Sequence, residues 1–355
     1  MSTPLLENIL NQPKAFQQVA DYQLGAGRPA LARAADLLRS KKRIVLSGMG
    51  ASHFACLPFQ YLLAGLGLHA IAVEAAELLY FLPSLIDRDT VVVLVSRSGE
   101  SVEITKLLPL LNHRAASVLG VANIPDSKLI ASADEALLLN SPPDQMVAIQ
   151  TYTGTVVLFS LLAAALSNEL HLGEAALRAS IEILARWIPE CVTASEEWRP
   201  FLEIDSPLYL LGRGAALGTV AEGVLLMHET AKTPAIGMSA AQFRHGPVEV
   251  TDGNFRGIVI GTQPATAQLD VALARDLKRM GGHVRWIGPA VPGFDLLPLV
   301  AWPTELPHRF APIAEIVPLQ LAAYLQAEVN GVRPGDFRWA PLVTTTEAGF
   351  SLADK

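Results

Sequence analysis

Short apolar runs alternate with helical patterns through the first half of the chain. Five runs have the length and composition of strands: Arg43–Ser47, His69–Val73, Thr90–Ser96, Ser117–Ala122 and Glu135–Leu139. Helical patterns lie between them at Phe54–Leu66 and Glu100–Asn112. The strand runs are apolar throughout rather than alternating, as expected when helices cover both faces of a sheet. The pattern predicts βαβ units and a parallel sheet.

The pattern restarts in the second half. The segment Leu208–Gly214 repeats the run and the glycine spacing of Ile44–Gly50, at an offset of 164 residues. Gly257–Thr266 repeats the pattern of Val91–Ser101 at an offset of 165. Two landmarks at nearly one offset predict an internal duplication whose period is a whole domain.

Length and composition agree with two domains. The chain has 355 residues, and domains average ~150 residues. Hydrophobic residues make up 51% and charged residues 17%, which excludes disorder as the main state. We place the N-terminal domain at 1–190 and the C-terminal domain at 191–355. The longest apolar helical stretch, Thr155–Leu166, is shorter than the ~18 residues that a membrane span needs and is interpreted as a buried helix.

Charge and cysteine content narrow the function classes. The formal net charge is −7 and no basic face is evident, so we expect no nucleic-acid partner. The N-terminus lacks a signal-peptide pattern, so we expect a cytoplasmic protein without a membrane role. Cys56 and Cys191 are isolated, which argues against a disulfide framework and a zinc site. We expect no metal.

The first candidate site is the turn Gly48–Ser52, between a strand and a helix. Glycines let backbone N–H groups approach a ligand, and a helix N-terminus favours an anion. A dinucleotide fingerprint would need a glycine where His53 stands. A tight structural turn and a ligand role both remain open for Gly50 and Ala51.

The second candidate is Ser96-Arg97-Ser98-Gly99-Glu100-Ser101, which follows a strand and opens a helix. Open α/β sheets bind ligands at this position. Three hydroxyls, a guanidinium and backbone N–H groups suit a phosphate monoester. The alternative is a helix cap, but a cap needs one hydroxyl and not three.

The third candidate lies on a predicted helix and the turn after it. Glu222 and Glu229 are seven residues apart, which places them on one face of a regular helix. A partly buried Glu229 would have a raised pKa and could shuttle protons near neutral pH. An exposed glutamate at a helix end is the alternative. His245, before Gly-Pro, could be an acid/base group or a structural hydrogen-bonding residue.

Together these residues resemble the sugar isomerase (SIS) domain family, and in particular the tandem isomerase module of glucosamine-6-phosphate synthase and its free-standing relatives. The matching stretches run in order along almost the whole chain: Gly50–Ser52, Ser96–Ser101, Leu211–Gly214, Ala221–Gly223, His228-Glu229, Arg244–Pro247 and Ala311–Tyr324.

The resemblance implies two SIS domains, each a parallel five-stranded sheet between helical layers. It implies a phosphate site at Ser52, Ser96, Arg97, Ser98 and Ser101, with Gly50, Ala51, Val147 and Ala148 lining the substrate. It implies that Glu229 moves a proton between sugar C1 and C2 and that His245 opens the ring, reaching into a partner subunit's site. A homodimer binding a small sugar phosphate, without a cofactor, is therefore expected.

The chain departs from the synthase pattern. Residue 2 is Ser2 rather than the nucleophilic cysteine of a glutaminase domain, so we expect no glutamine-dependent synthesis by this chain alone. Two lysines of the synthase fall at Leu226 and Pro341. The Glu–His pair remains, which predicts a phosphosugar isomerase or deaminase of the glucosamine-6-phosphate type. A fructosamine-6-phosphate deglycase and a non-catalytic phosphosugar sensor are the alternatives.

Overall fold

The structure is a computed structural model that describes residues 3–293 and 297–349. The helices are α1 Pro4–Leu24, α2 Arg28–Ser40, α3 Ala51–Gly65, α4 Ala75–Tyr80, α5 Val102–His113, α6 Lys128–Ser132, α7 Gln150–Leu166, α8 Leu170–Ser195, α9 Arg199–Leu202, α10 Ala216–Leu226, α11 Ala240–Phe243, α12 Ala267–Arg279 and α13 Ala311–Val329. The strands are β1 Arg43–Gly48, β2 Ala70–Glu74, β3 Thr90–Val95, β4 Ser117–Ala122, β5 Glu135–Leu138, β6 Leu208–Gly212, β7 Ala235–Ser239, β8 Arg256–Ile260 and β9 His283–Ile287.

The first sheet is parallel and has the strand order β2-β1-β3-β4-β5. Its central strand β3 is buried at every position, because helices cover both faces. Leu94 and Ile104 belong to the core between this sheet and α5. The predicted strands and the parallel α/β fold are confirmed.

The second sheet is also parallel, with the order β7-β6-β8-β9. In the part of the chain that the structure describes it has four strands, not the predicted five. The fifth position holds a single bridge, between Trp286 and Pro298. There the Trp286 N–H donates to the Leu297 carbonyl oxygen and the Leu299 N–H donates to the Trp286 carbonyl oxygen, both at 3.0 Å. The nitrogen of Pro298 faces away from β9, as is usual for a proline at the edge of a sheet.

The chain divides into two compact units. Among the described residues, one unit contains 14–178 and 337–349, and the other contains 3–13, 179–293 and 297–336. Along the main chain, the change from one unit to the other falls inside α8, between Arg178 and Ala179. Neither unit is one continuous stretch of chain. The domain limits 1–190 and 191–355 stay a prediction.

Helix α7 lies at the centre of the first unit. Nearly all its residues are buried, and it packs against α2 and α3. The apolar stretch Thr155–Leu166 therefore belongs to a core helix, as predicted. Among the described residues, no helix combines the length and hydropathy that crossing a bilayer requires.

Candidate functional site

In the first sheet, the chain passes from β1 to its neighbour β2 on one side and from β3 to its neighbour β4 on the other. The carboxyl ends of β1 and β3 therefore form a topological switch point. Such switch points are where open α/β sheets bind ligands. Backbone atoms lie too close to Gly48 for a side chain there. A Cβ would be 2.9 Å from the Val95 carbonyl oxygen and 3.0 Å from the His53 nitrogen. Gly50 then has a φ of 51°, which favours glycine. These glycines bring the start of α3 against the end of β3.

The turn after β3 is held by its own hydroxyls. The Ser96 and Ser101 hydroxyl oxygens are 3.3 Å apart, and the Gly99 N–H donates to the Ser96 hydroxyl at 3.1 Å. The Glu100 N–H donates to the Ser98 hydroxyl at 3.2 Å. Gly99 has a φ of 68° and no room for a side chain, because a Cβ would lie 2.2 Å from the Ser127 hydroxyl. The hydroxyls are thus gathered in one rigid turn.

The capping alternative does not account for this turn. Ser101 occupies the N-cap position of α5, but its side chain makes no capping hydrogen bond. The Val102 N–H, at the start of the helix, donates instead to the carbonyl oxygen of Thr344 at 3.0 Å. The hydroxyls of Ser98 and Ser101 therefore have no helix-capping role.

A pocket of about 20 Å³ lies at the switch point. This volume holds about one water molecule. The predicted residues Ala51, Ser52, Ser96, Arg97 and Ala148 line it, together with Val95, Val121, Ala122, Asn123, Leu139, Thr151, Tyr152 and Thr155. Gly50, Ser98, Ser101 and Val147 are predicted residues that stand outside this lining.

Sequence reasoning missed the polar residues Asn123 and Thr151. Asn123 follows β4 as Ser96 follows β3, and it exchanges two hydrogen bonds with the backbone of Ser141, at 3.0 and 2.9 Å. Asp144 accepts from the N–H of Thr151 at 2.9 Å and from its hydroxyl at 2.6 Å. Asn123 could have been found from the sequence, because it is a polar residue directly after a central strand. The sequence at the start of α7 contained no comparable signal for Thr151.

Arg97 connects the turn to two other segments. Its guanidinium donates to the Met146 carbonyl oxygen at 3.0 Å and to the Leu342 carbonyl oxygen at 3.1 Å. The tail is held further along by Glu347, which accepts from the Tyr80 hydroxyl at 2.6 Å and pairs with Lys106. The Lys106 ammonium lowers the pKa of Glu347.

Glu229 lies in a π-helical turn, Met227–Ala231, that continues α10. Such wide turns occur often at functional sites. The wide turn shifts the helical register after Leu226 by part of a turn, and the two glutamates differ in their burial. Glu222 is only 1% exposed, whereas Glu229 is half-buried. The partial burial of Glu229 agrees with the prediction.

The end of the π-helical turn is fixed by two side chains. Lys232 adopts a left-handed φ of 56°, and its ammonium donates to the carbonyl oxygens of Glu229 and Asp336. Asn330 donates to the Ala231 carbonyl oxygen at 2.8 Å. The sequence pattern did not single out Lys232, an amine within one turn of Glu229.

His245 is exposed, in the turn after α11. It follows the end of β7, whereas Glu229 precedes the start of β7. A strand of five residues spans about 16 Å. Glu229 and His245 of one chain therefore lie at opposite ends of the second sheet. Within the described ranges, no cluster of three or more His, Cys, Asp or Glu side chains is arranged to hold a metal ion.

The chain is similar to proteins of sugar-phosphate metabolism. Residues 37–167 match the family model described as SIS domain. Over 335 residues, 93% of this chain, it is 28% identical to the isomerizing glutamine–fructose-6-phosphate aminotransferase of Pyrococcus horikoshii. The match covers 55% of that protein, so the chain spans about half the length of this relative.

Two solved structures share the fold. The C-terminal domain of glucosamine-fructose-6-phosphate aminotransferase from Francisella tularensis superposes with a TM-score of 0.83 at 20% identity, covering 95% of this chain and 99% of that one. Glucosamine-6-phosphate deaminase from Thermotoga maritima gives a TM-score of 0.75 at 18% identity, covering 96% and 99%.

Proposed function

We propose that the protein is an enzyme of phosphorylated sugars that isomerises and deaminates an amino-sugar phosphate of the glucosamine-6-phosphate type. The match of residues 37–167 to the SIS domain model supports this proposal. The observation that carries the proposal is the hydroxyl-lined turn Ser96–Ser101 at the switch point of the first sheet. Its glycines and the two helix N-termini beside it are suited to an anion.

The phosphate of the substrate binds at this turn. Ser52 and Ser96 offer hydroxyls inside the pocket, and Arg97 is the one cation in its lining. A guanidinium has five N–H donors, so Arg97 can contact a phosphate while it keeps a carbonyl partner. Ser98 and Ser101 complete the turn.

Glu229 is the base in this proposal. In the open-chain amino sugar, its carboxylate removes the hydrogen from C2 and returns a proton to C1, while a second proton passes from the amine nitrogen to the aldehyde oxygen. The aldehyde thereby becomes an alcohol and the C2 amine becomes an imine. Water hydrolyses that imine to the ketone and ammonia. A half-buried carboxylate can exchange a proton in both directions near neutral pH.

The homodimer is part of the proposal. Opening a sugar ring needs a proton transfer at the ring oxygen, and His245 is the predicted group. Since Glu229 and His245 of one chain lie at opposite ends of the second sheet, a site that uses both takes them from two copies. The exposure of His245 leaves it accessible to a second chain.

The test is incubation with glucosamine-6-phosphate, with ammonia and fructose-6-phosphate measured together. We expect equal amounts of both products, and a higher KM for Ser96→Ala than for Ser132→Ala, an exposed serine of the same unit. Release of a free amino acid from a phosphorylated fructosamine would favour the deglycase. A ligand-induced rise in Tm without turnover of either substrate would favour the sensor.

A further inference from the structure

The second sheet has a switch point of its own, between β6 and β8. Gly214 follows Gly50 by 164 residues, and the two have nearly the same left-handed φ, 56° and 51°. The backbone at this edge therefore has the form that accompanies the pocket of the first sheet. No step of the proposed reaction uses this edge of the second sheet.

Arg213 follows β6 at this edge and is bonded to the chain itself. Its Nε donates to Asp270 Oδ1 at 2.6 Å, and the Thr266 hydroxyl donates to Asp270 Oδ2 at 2.9 Å. The Arg213 side chain is 14% exposed and the Asp270 side chain is fully buried. The Asp270 carboxylate thus receives a guanidinium and a hydroxyl, the donors that a bound oxyanion would use.

A second carboxyl group, that of Glu315, occupies the same edge. It is fully buried and accepts from the Thr219 hydroxyl at 2.6 Å and from the Thr262 hydroxyl. The Gln263 amide donates to the Thr262 hydroxyl at 3.4 Å. The polar side chains that follow β6 and β8 are therefore all engaged within the chain.

The pocket of the first sheet differs in this respect. Its lining, within the described residues, contains the guanidinium of Arg97 and no carboxylate. The two switch points thus share a strand order and a glycine conformation. They differ because buried carboxyl groups, those of Asp270 and Glu315, occupy the second one.

We infer that the second switch point is an oxyanion site filled by the chain's own Asp270, so that a phosphate group is excluded there and would bind at Arg213 once the carboxylate is removed. The inference concerns the second sheet alone. The proposed function predicts that the unmodified chain binds one phosphate, in the first sheet, and that number is the only point at which this inference rests on it.

The experiment is equilibrium dialysis against inorganic phosphate at constant ionic strength, with the full chain and two variants. Asp270→Ala removes the carboxylate and the volume that it occupies beside Arg213, and we expect it to bind one phosphate per chain more than the parent. The double variant Arg213→Met, Asp270→Ala removes the cation too, and we expect the parental count. Because the result is a difference, it holds whether the parent binds one phosphate or none.

Equal counts for Asp270→Ala and the parent would overturn the inference, as would a lower count for the double variant, since Arg213 would then already bind phosphate. Asp270→Ala leaves a buried guanidinium unpaired and can fold poorly. In that case we expect phosphate to restore its folding more than chloride does at the same ionic strength. A failure of phosphate to restore it would contradict the inference.

Discussion

Arg97 donates from its guanidinium to the carbonyl oxygen of Leu342, 245 positions later, at 3.1 Å. The same side chain holds the Met146 carbonyl oxygen at 3.0 Å. The strand-end turn of the first sheet, the segment before α7 and the C-terminal tail therefore meet at one cation. A ligand that draws Arg97 towards its phosphate competes with both carbonyls.

Arg97→Gln should loosen the tail. The one hydrogen bond that Arg97 donates to the tail amounts to ~1 kcal/mol, or about fivefold in the opening equilibrium of the tail. We expect trypsin to cut after Arg338 about fivefold faster in Arg97→Gln than in the parent, as measured by the rate of tail loss. Arg114→Gln, an exposed arginine of the same unit, is the control. Equal cutting rates in all three proteins would mean that Arg97 does not hold the tail.

Gly48→Ala should destabilise the first unit. The added Cβ would meet backbone atoms on both sides, at 2.9 and 3.0 Å, and neither can move alone. We expect the free energy of unfolding to fall by about 1–3 kcal/mol. Gly65→Ala is the matched control, because nothing lies within 4 Å of its Cβ; its stability should be unchanged or slightly higher. Urea denaturation distinguishes the two, and an equal effect of both substitutions would contradict the packing argument.

Glu315 should make stability depend on pH in a particular direction. Burial raises the pKa of this carboxyl group above its usual value of 4.5, so the folded state keeps a proton that the unfolded state releases. This contribution to stability is complete below the unfolded-state pKa and is lost as pH rises from about 4.5 through the folded-state pKa.

The neutral variant Glu315→Gln should lack that loss. Its free energy of unfolding relative to the parent should increase as pH rises from about 4.5 to 7, measured by denaturation at several pH values. Glu305→Gln, an exposed acid of the same unit, should show a constant difference. A constant difference for Glu315→Gln as well would show that its carboxyl titrates alike in both states.

Mixing two inactive variants tests whether the site is shared. If Glu229 and His245 serve one site from two subunits, a heterodimer of Glu229→Gln and His245→Asn has one site with both groups intact. Random exchange of subunits should then restore about a quarter of the parental turnover. No recovery after subunit exchange, verified by mass spectrometry, would place both groups in one chain's site.

The apolar runs predicted the five strands of the first sheet, because a strand covered on both faces is apolar throughout. The internal repeat pointed to β6 and β8 of the second sheet, whereas β7 and β9 were not assigned from the sequence. The turn Ser96–Ser101 was found for a similar reason, since it follows the most apolar run. Thr151 could not be predicted as a pocket residue, because its hydroxyl is placed by Asp144 in a loop of irregular structure. The π-helical turn at Glu229 has no sequence period of its own, and the return of the tail to Arg97 is a long-range contact.

The central claim is that Glu229 exchanges a proton at C2 of a bound sugar phosphate. Its most direct measurement is the uptake of deuterium at C2 of glucosamine-6-phosphate in D₂O, followed by NMR, which reports proton transfer even when no product is released. The parent and Glu203→Gln, an exposed acid of the same unit, should incorporate deuterium, and Glu229→Gln should do so at least ~100-fold more slowly. Incorporation by Glu229→Gln at the parental rate would contradict the account.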